Sequence, residues 1–371
     1  MHSVAIVARG DVMSPVTWSA TPRNIANAFS ELGWSVTPID ASDDRLSSRI
    51  SAQARAMGRF RFRSQPYGYL ESSRRKRSEH RLAEDLQRVE PDLVLFTDIM
   101  AIGPQAPRPF ASVLYTDSCL ADFARGWNLD RRSRALYEAV ARDAYRSFDV
   151  VFTTSSWAAR RIEDFASLPA GSAVAVGSGG ASAPTTPWCA ARYASGRTLF
   201  VAKVRLEHKG FLELIEGFRL ARTVDPRLTL DVVVPSDTTV PRVAGLTKHS
   251  NLPRAALQRL YQECALFAMP APCEPWGLVY IEAASAGTPF LASSSMGVGD
   301  IAEQTGGGIL VDGADPVLIC DALLSSHADP DNLARLGENG RRNVEHFTWR
   351  GTIGRLTSGL VDRGMLISTC N

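Results

Sequence analysis

Little in this chain points to metal, disulfide or membrane chemistry. Its six cysteines (Cys119, Cys189, Cys264, Cys273, Cys320 and Cys370) are scattered through 371 residues, with no Cys-x-x-Cys pair and no paired histidines. That spacing argues against a disulfide framework and a zinc site, and reads as reduced cytosolic thiols. No apolar run reaches the roughly 20 residues that a membrane-spanning helix needs. Net charge is nearly absent as well, at +2 from 41 Lys and Arg against 39 Asp and Glu. Such a balance implies no obligate polyanionic partner, so nucleic acid is not expected. The N-terminus, Met1 to Ala8, is too short for a signal peptide and reads as a first strand. The expected location is the cytoplasm.

What is present is the composition of a soluble globular protein, long enough for two domains with a core each. Strand–loop–helix–strand patterns recur. After the first strand, Thr21-Pro22 starts a helix carrying Ile25, Phe29 and Leu32, which Gly33 stops before a strand from Ser35 to Ile39. Buried strands at 92–98 and 112–117 each end Thr-Asp, and polar residues just past a parallel strand point into the ligand crevice. A helix from Arg131 to Arg146 carries Leu136, Val140 and Ala144 on one face, and a strand and helix follow from Asp149. Residues 177–187, rich in Gly, Ser, Thr and Pro, read as a linker. A second series then begins with the strand Thr198 to Ala202, the loop Lys203 to Gly210 and a helix from Phe211 to about Thr223. A strand spans Arg227 to Val234. The fold class is α/β, doubly wound twice over.

The most informative stretch follows the apolar run Ala265-Leu266-Phe267-Ala268-Met269, a buried parallel strand closed by Pro270 and Pro272. The chain turns at Pro275 and Gly277 into a helix of about ten residues, ends it at Gly287, and starts the next strand at Pro289. The helix start offers backbone N–H groups at Gly277 and Leu278, where unpaired donors and the helix dipole favour a phosphate. Two carboxylates frame it. Glu274 lies in the loop before, and Glu282 lies about 7.5 Å along the axis if the helix starts at Gly277. A glycoside-hydrolase pair fits poorly, because the neighbours of Glu282 (Val279, Tyr280, Ile281, Ala283) look buried. A Glu on so apolar a helix needs a partner, and a vicinal diol supplies two hydroxyl donors. A carboxylate on each side of a phosphate-binding helix end suggests a ligand with a sugar at both ends of a diphosphate: a nucleotide-sugar.

Glu-Pro-Trp-Gly-Leu, a second Glu with seven residues between it and the first, and the closing Gly-Thr-Pro at 287–289 resemble the donor-site signature of retaining glycosyltransferases of the GT-B fold, family 4 above all. The resemblance implies two Rossmann-like domains facing a central cleft: an acceptor-side domain at 1–180, a linker at 181–197, a nucleotide-sugar domain at 198–346, and a last helix at 347–371 crossing back. It is close over 198–350 and loose before. By it, Glu274 binds the donor sugar, Trp276, Gly277 and Leu278 stand at the diphosphate, and Glu282 binds the ribose. Lys209, in a Lys-Gly pair, matches a cation that stabilises the leaving diphosphate; a second cation is either Lys203 or Arg205. Neither a metal nor another cofactor is implied. Asp117 is the favoured catalytic residue of the first domain, since Tyr-Thr-Asp resembles a segment near the reacting sugar. Many members have a His in that neighbourhood, whereas none lies between His80 and His208 here.

One segment stands apart. Arg55, Arg59, Arg61, Arg63, Arg74, Arg75, Lys76, Arg77 and Arg81 are opposed only by Glu71 and Glu79. A solvated face or mobile loop is one reading; an anionic acceptor, or an anionic membrane surface carrying one, is the other. The overall expectation is a metal-independent hexosyltransferase that retains anomeric configuration. A nucleotide-sugar epimerase of the same fold and a non-catalytic nucleotide-sugar-binding module are the alternatives.

Overall fold

A computed structural model describes residues 2–42, 72–99, 110–125, 131–180 and 190–366. Residues 181–189 of the linker and the arginine-rich stretch 55–71 lie outside the described residues. The chain divides into two units, Met1–Gly179 with Trp349–Asn371, and Gly180–Thr348.

In the first unit, strands β1 (Ser3–Ala8), β2 (Ser35–Asp40), β3 (Leu93–Phe96), β4 (Ala111–Thr116), β5 (Val150–Thr153) and β6 (Ala173–Ala175) pair in parallel, in the order β2-β1-β3-β4-β5-β6. Its helices are α1 (Thr21–Glu31), α2 (Ser72–Val89), α3 (Leu120–Arg125), α4 (Arg131–Arg146) and α5 (Ser156–Ala166). Alternation along the strands feeds two cores. Val4, Ile6, Leu93 and Leu95 pack with Phe29 and with Ile353 and Leu356 of the C-terminal helix. Ala5, Val7, Val94 and Phe96 pack with Tyr137 and Tyr145. With both sheet faces covered, the inner strands β1, β3, β4 and β5 are nearly continuous buried runs, while the edge strand β2 is partly exposed.

The second unit repeats the design. Strands β7 (Arg197–Val201), β8 (Thr229–Val233), β9 (Leu246–His249), β10 (Leu266–Met269), β11 (Phe290–Ser293) and β12 (Gly308–Val311) run parallel in the order β12-β11-β10-β7-β8-β9. Its helices are α6 (Phe211–Val224), α7 (Arg254–Glu263), α8 (Leu278–Ser285), α9 (Val298–Thr305), α10 (Pro316–Ala328) and α11 (Pro330–Asn343). The final helix, α12 (Trp349–Val361), belongs to the first unit. The chain builds outward from β7 in one direction and then restarts beside it at β10. The carboxyl ends of β7 and β10 therefore flank the topological switch point, where open α/β sheets bind ligands.

Several elements differ from the sequence reading. The core face of α4 is turned by one residue: Leu136 is 50% exposed, while Tyr137, Ala141, Ala144 and Tyr145 are buried. Among the described residues α10 and α11 are separate helices ahead of the last one, because Asp329 accepts from the Asn332 amide and Pro330 opens a fresh helix. The helix after Gly277 is eight residues long, not about ten. Residues 72–81 of the basic segment lie in the helix α2. Among the described residues no helix is long and apolar enough to cross a membrane.

Candidate active site

Three neighbouring strands, β11, β10 and β7, lead to helices that begin on glycine: Gly297 before α9, Gly277 before α8 and Gly210 before α6. None of these glycines can cap its helix with a side chain. By contrast α10 and α11, elsewhere in the unit, are capped by Asp315 and Asp329. Uncapped first-turn amides keep their donors for a ligand, and an anion is the ligand they favour.

Two of the glycines are obligatory for the close approach of the loops. Gly210 has φ +67°, and a Cβ there would lie 2.2 Å from the carbonyl oxygen of Pro270, just past β10. The loops after β7 and β10 therefore touch at the switch point. Gly277, at φ +88°, lets the chain turn where a Cβ would meet the Tyr280 ring at 2.6 Å and Cγ of Glu274 at 3.0 Å. Tyr280 in turn donates its hydroxyl to the Met269 carbonyl at 2.6 Å. Trp276 is 3% exposed and packs against Phe347, with ring centroids 6.1 Å apart, so its side chain anchors the loop in the core.

This frame brings Lys209 and Glu274 together. Lys209 ends a 3-10 turn, Leu206–Lys209, and its Nζ donates to Oε2 of Glu274. Glu274 is only 8% exposed, so its charge is compensated by this ammonium. The Cys273 amide also donates to the His208 carbonyl, at 3.4 Å, across the same two loops.

Glu282 lies on α8 and is largely removed from water. Burial raises its pKa above the ordinary carboxylate value, opposed by a hydrogen bond from Tyr261 and by the charges of Lys203 and Arg254. The Tyr261 hydroxyl donates to Oε2 of Glu282 at 3.3 Å. Of the two cations left open by the sequence, Lys203 thus acts electrostatically on Glu282. Both cations are exposed, and Arg205 has φ +51° at the start of the 3-10 turn; of the two, Lys203 is the one whose charge, with that of Arg254, acts on the carboxylate.

Asp117 belongs to the first unit, half-buried on the loop after β4, where the Ser118 hydroxyl donates to its Oδ1 at 2.9 Å. Two further polar groups have no counterpart in the sequence reading. One is Tyr261. The other is Ser293, at the carboxyl end of β11, which is 1% exposed and whose Oγ has no hydrogen-bond partner among the described residues. Its place at a strand end beside an uncapped helix was a readable signal; its lack of a partner was not.

Residues 245–343, which include Tyr261, Glu274, Gly277 and Glu282, match the family Glycosyl transferases group 1. Sucrose-phosphate synthase of Zea mays is 38% identical over 106 residues, which is 28% of this chain and 10% of that protein. D-inositol 3-phosphate glycosyltransferase of Corynebacterium efficiens is 32% identical over 106 residues, 29% of this chain and 25% of that protein. The chain therefore aligns with only a minor part of these relatives. The solved structure of sucrose-phosphate synthase from Thermosynechococcus elongatus covers 98% of this chain and 100% of its own, with a TM-score of 0.67 at 18% identity, a likeness of fold. The resemblance to GT-B glycosyltransferases of family 4 type stands, and the fold is GT-B.

Proposed function

We propose that this chain, with its GT-B fold and group 1 glycosyltransferase segment, moves a hexosyl group from a nucleoside-diphosphate sugar to an acceptor hydroxyl. The transfer retains anomeric configuration and proceeds in the cytoplasm without a bound metal. The observation that carries the reading is the placement of Glu274 and Glu282 on either side of the uncapped, glycine-led start of α8, with Lys209 joined to Glu274. Glu274 orients the donor sugar, Glu282 holds the ribose, and the Gly277 and Leu278 amides with Lys209 and Lys203 receive the diphosphate. Trp276 supports this loop from the core. As the glycosidic bond breaks, negative charge grows on the leaving diphosphate, and fixed cations and amides stabilise that charge without reorganising. The acceptor attacks from the leaving-group face, and a diphosphate oxygen takes its proton. Asp117 assists from the first unit.

The acceptor in this reading is anionic. Support comes from the arginine-rich segment and from two similar proteins whose names tie them to phosphorylated compounds. The test is a thermal-shift screen of nucleotide-sugars, followed by assays of nucleotide release and of product anomer by NMR. A bound donor raises apparent stability by mass action. A shift, followed by release and a product of unchanged anomeric configuration, is the expected result. Binding with no release, with or without acceptors, would mark an inert binding module; an inverted product would overturn retention.

A further inference from the structure

Tyr261 is 2% exposed, in α7, the helix that leads into β10. Yet its hydroxyl reaches Oε2 of Glu282 at 3.3 Å, 21 residues away in sequence. Its position is held from two sides. The ring packs against Phe267 of β10, with centroids 5.6 Å apart. Its backbone carbonyl accepts from the hydroxyl of Thr288, a buried residue just past the end of α8. The residue is therefore tied both to the strand that precedes the site and to the segment that follows the helix carrying Glu282.

The terminal torsion of a glutamate is a broad, roughly two-fold rotor, so the backbone alone does not set the plane of the carboxylate. Gripping a vicinal diol requires both oxygens turned to the ligand in one plane. A single fixed donor on Oε2 sets that plane, and an ionised carboxylate keeps Oε1 and further acceptor capacity on Oε2 for the ligand. Burial holds the Tyr261 phenol well above its ordinary pKa, so it stays protonated and remains a donor.

We propose that Tyr261 is a positioning residue whose hydroxyl sets the plane of the Glu282 carboxylate, so that the site selects ribonucleotide over deoxyribonucleotide donors. The inference rests on the assignment of Glu282 to the donor ribose. It also carries a pH signature. The groups acting on Glu282 are Tyr261 and Arg254 of α7 and Lys203 past β7, all three opposing the effect of burial. Removing the hydroxyl leaves burial less opposed, so Glu282 takes a proton at higher pH and diol binding weakens there.

The experiment compares wild type, Tyr261→Phe and Glu282→Gln by calorimetric titration with UDP, GDP and ADP, each beside its 2′-deoxy counterpart, over about pH 5 to 8. For the ribonucleotide that binds, wild type is expected to prefer it to the deoxy form by about ten-fold or more, and Tyr261→Phe to lose most of that preference. The loss should fall on the ribonucleotide, with deoxynucleotide affinity changed less than about two-fold, and the acid limb of binding should move to higher pH. Equal weakening of both nucleotides in Tyr261→Phe would show a structural role only and overturn the proposal. So would an unchanged preference in Tyr261→Phe where Glu282→Gln abolishes it, and in that case the donor-site reading survives. If Glu282→Gln also keeps the full preference, the ribose assignment itself falls.

Discussion

Lys209 and Glu274 neutralise each other: Nζ of one is hydrogen-bonded to Oε2 of the other, across 65 residues and between the loops that flank the switch point. A carboxylate 8% exposed would otherwise stand nearly dry without a counter-ion. A donor that engages both groups must draw them onto the diphosphate and the sugar, and the pair then exchanges one set of charge-assisted hydrogen bonds for another.

That pairing separates stability from catalysis. Lys209→Met leaves the carboxylate uncompensated and should cost about 1–3 kcal/mol of folding stability, as should Glu274→Gln to a smaller extent. The double variant removes both charges and should recover most of the loss. Turnover should not recover: Lys209→Met is expected to lower kcat by about 10²–10³, and Glu274→Gln to reduce turnover more than donor affinity. Urea unfolding and steady-state kinetics on the three variants are the check. A double variant no more stable than the worse single would show that the two groups are not coupled.

Lys203 and Arg205 are two residues apart, yet of the two it is Lys203 whose charge, alongside that of Arg254, bears on Glu282. Lys203→Ala is therefore expected to weaken donor binding and slow transfer about ten-fold or more, while Arg205→Ala changes each by less than about three-fold. Donor titration and initial rates on both variants decide between them. A severe loss at Arg205 with a silent Lys203 would reverse the assignment of the second cation.

His327 lies far from any proposed chemistry in sequence and bonds Thr198, at the start of β7, through Nε2 at 2.8 Å. Burial lowers its pKa from 6.5 to about 4. Between those values the unfolded chain binds a proton that the folded protein does not, so stability is highest above about pH 6.5 and falls as pH drops towards 4. The fall attributable to this side chain is at most about 3 kcal/mol, and it levels off below about pH 4. Chemical unfolding across that window should show a shallower slope in His327→Gln than in wild type. Parallel slopes would mean that other groups govern the acid limb.

Much of the fold was legible because its inner strands are buried on both faces and its helices punctuated by Gly and Pro. The Glu274–Thr288 stretch could be read as strand end, anion-binding turn and helix because Pro270, Gly277 and Gly287 mark each boundary. Errors arose where tertiary packing chose between equivalent local patterns. In α4, apolar residues occur on adjacent stripes, and the larger Tyr137 and Tyr145 take the core while Leu136 faces out. The role of Tyr261 was invisible for another reason. A tyrosine in an apolar context reads as a core aromatic, and the partner of its hydroxyl lies 21 residues on, at a distance that only the packing of α7 against α8 defines. The ion pair of Lys209 with Glu274 was hidden in the same way: each was identified as a ligand group, and neither as the other's partner.

The basic segment supports a final prediction from sequence. Eight arginines and one lysine between residues 55 and 81 exceed what solubility demands of a chain with net charge +2. If they select an anionic acceptor, the attraction is long-ranged and exposed, and salt screens it within about 10 Å at about 0.1 M. Acceptor affinity should therefore weaken steadily as salt rises. Donor affinity, assigned under the proposed function to the largely buried Glu274 and Glu282, should change less. Neutralising Arg74, Arg75 and Arg77 together should reproduce the high-salt behaviour at low salt, leaving donor binding intact. The measurement is KM for the acceptor and Kd for the donor over a salt series in wild type and the triple variant. A triple variant that matches wild type at every salt concentration would show that the cluster is solvated surface and that the acceptor is neutral.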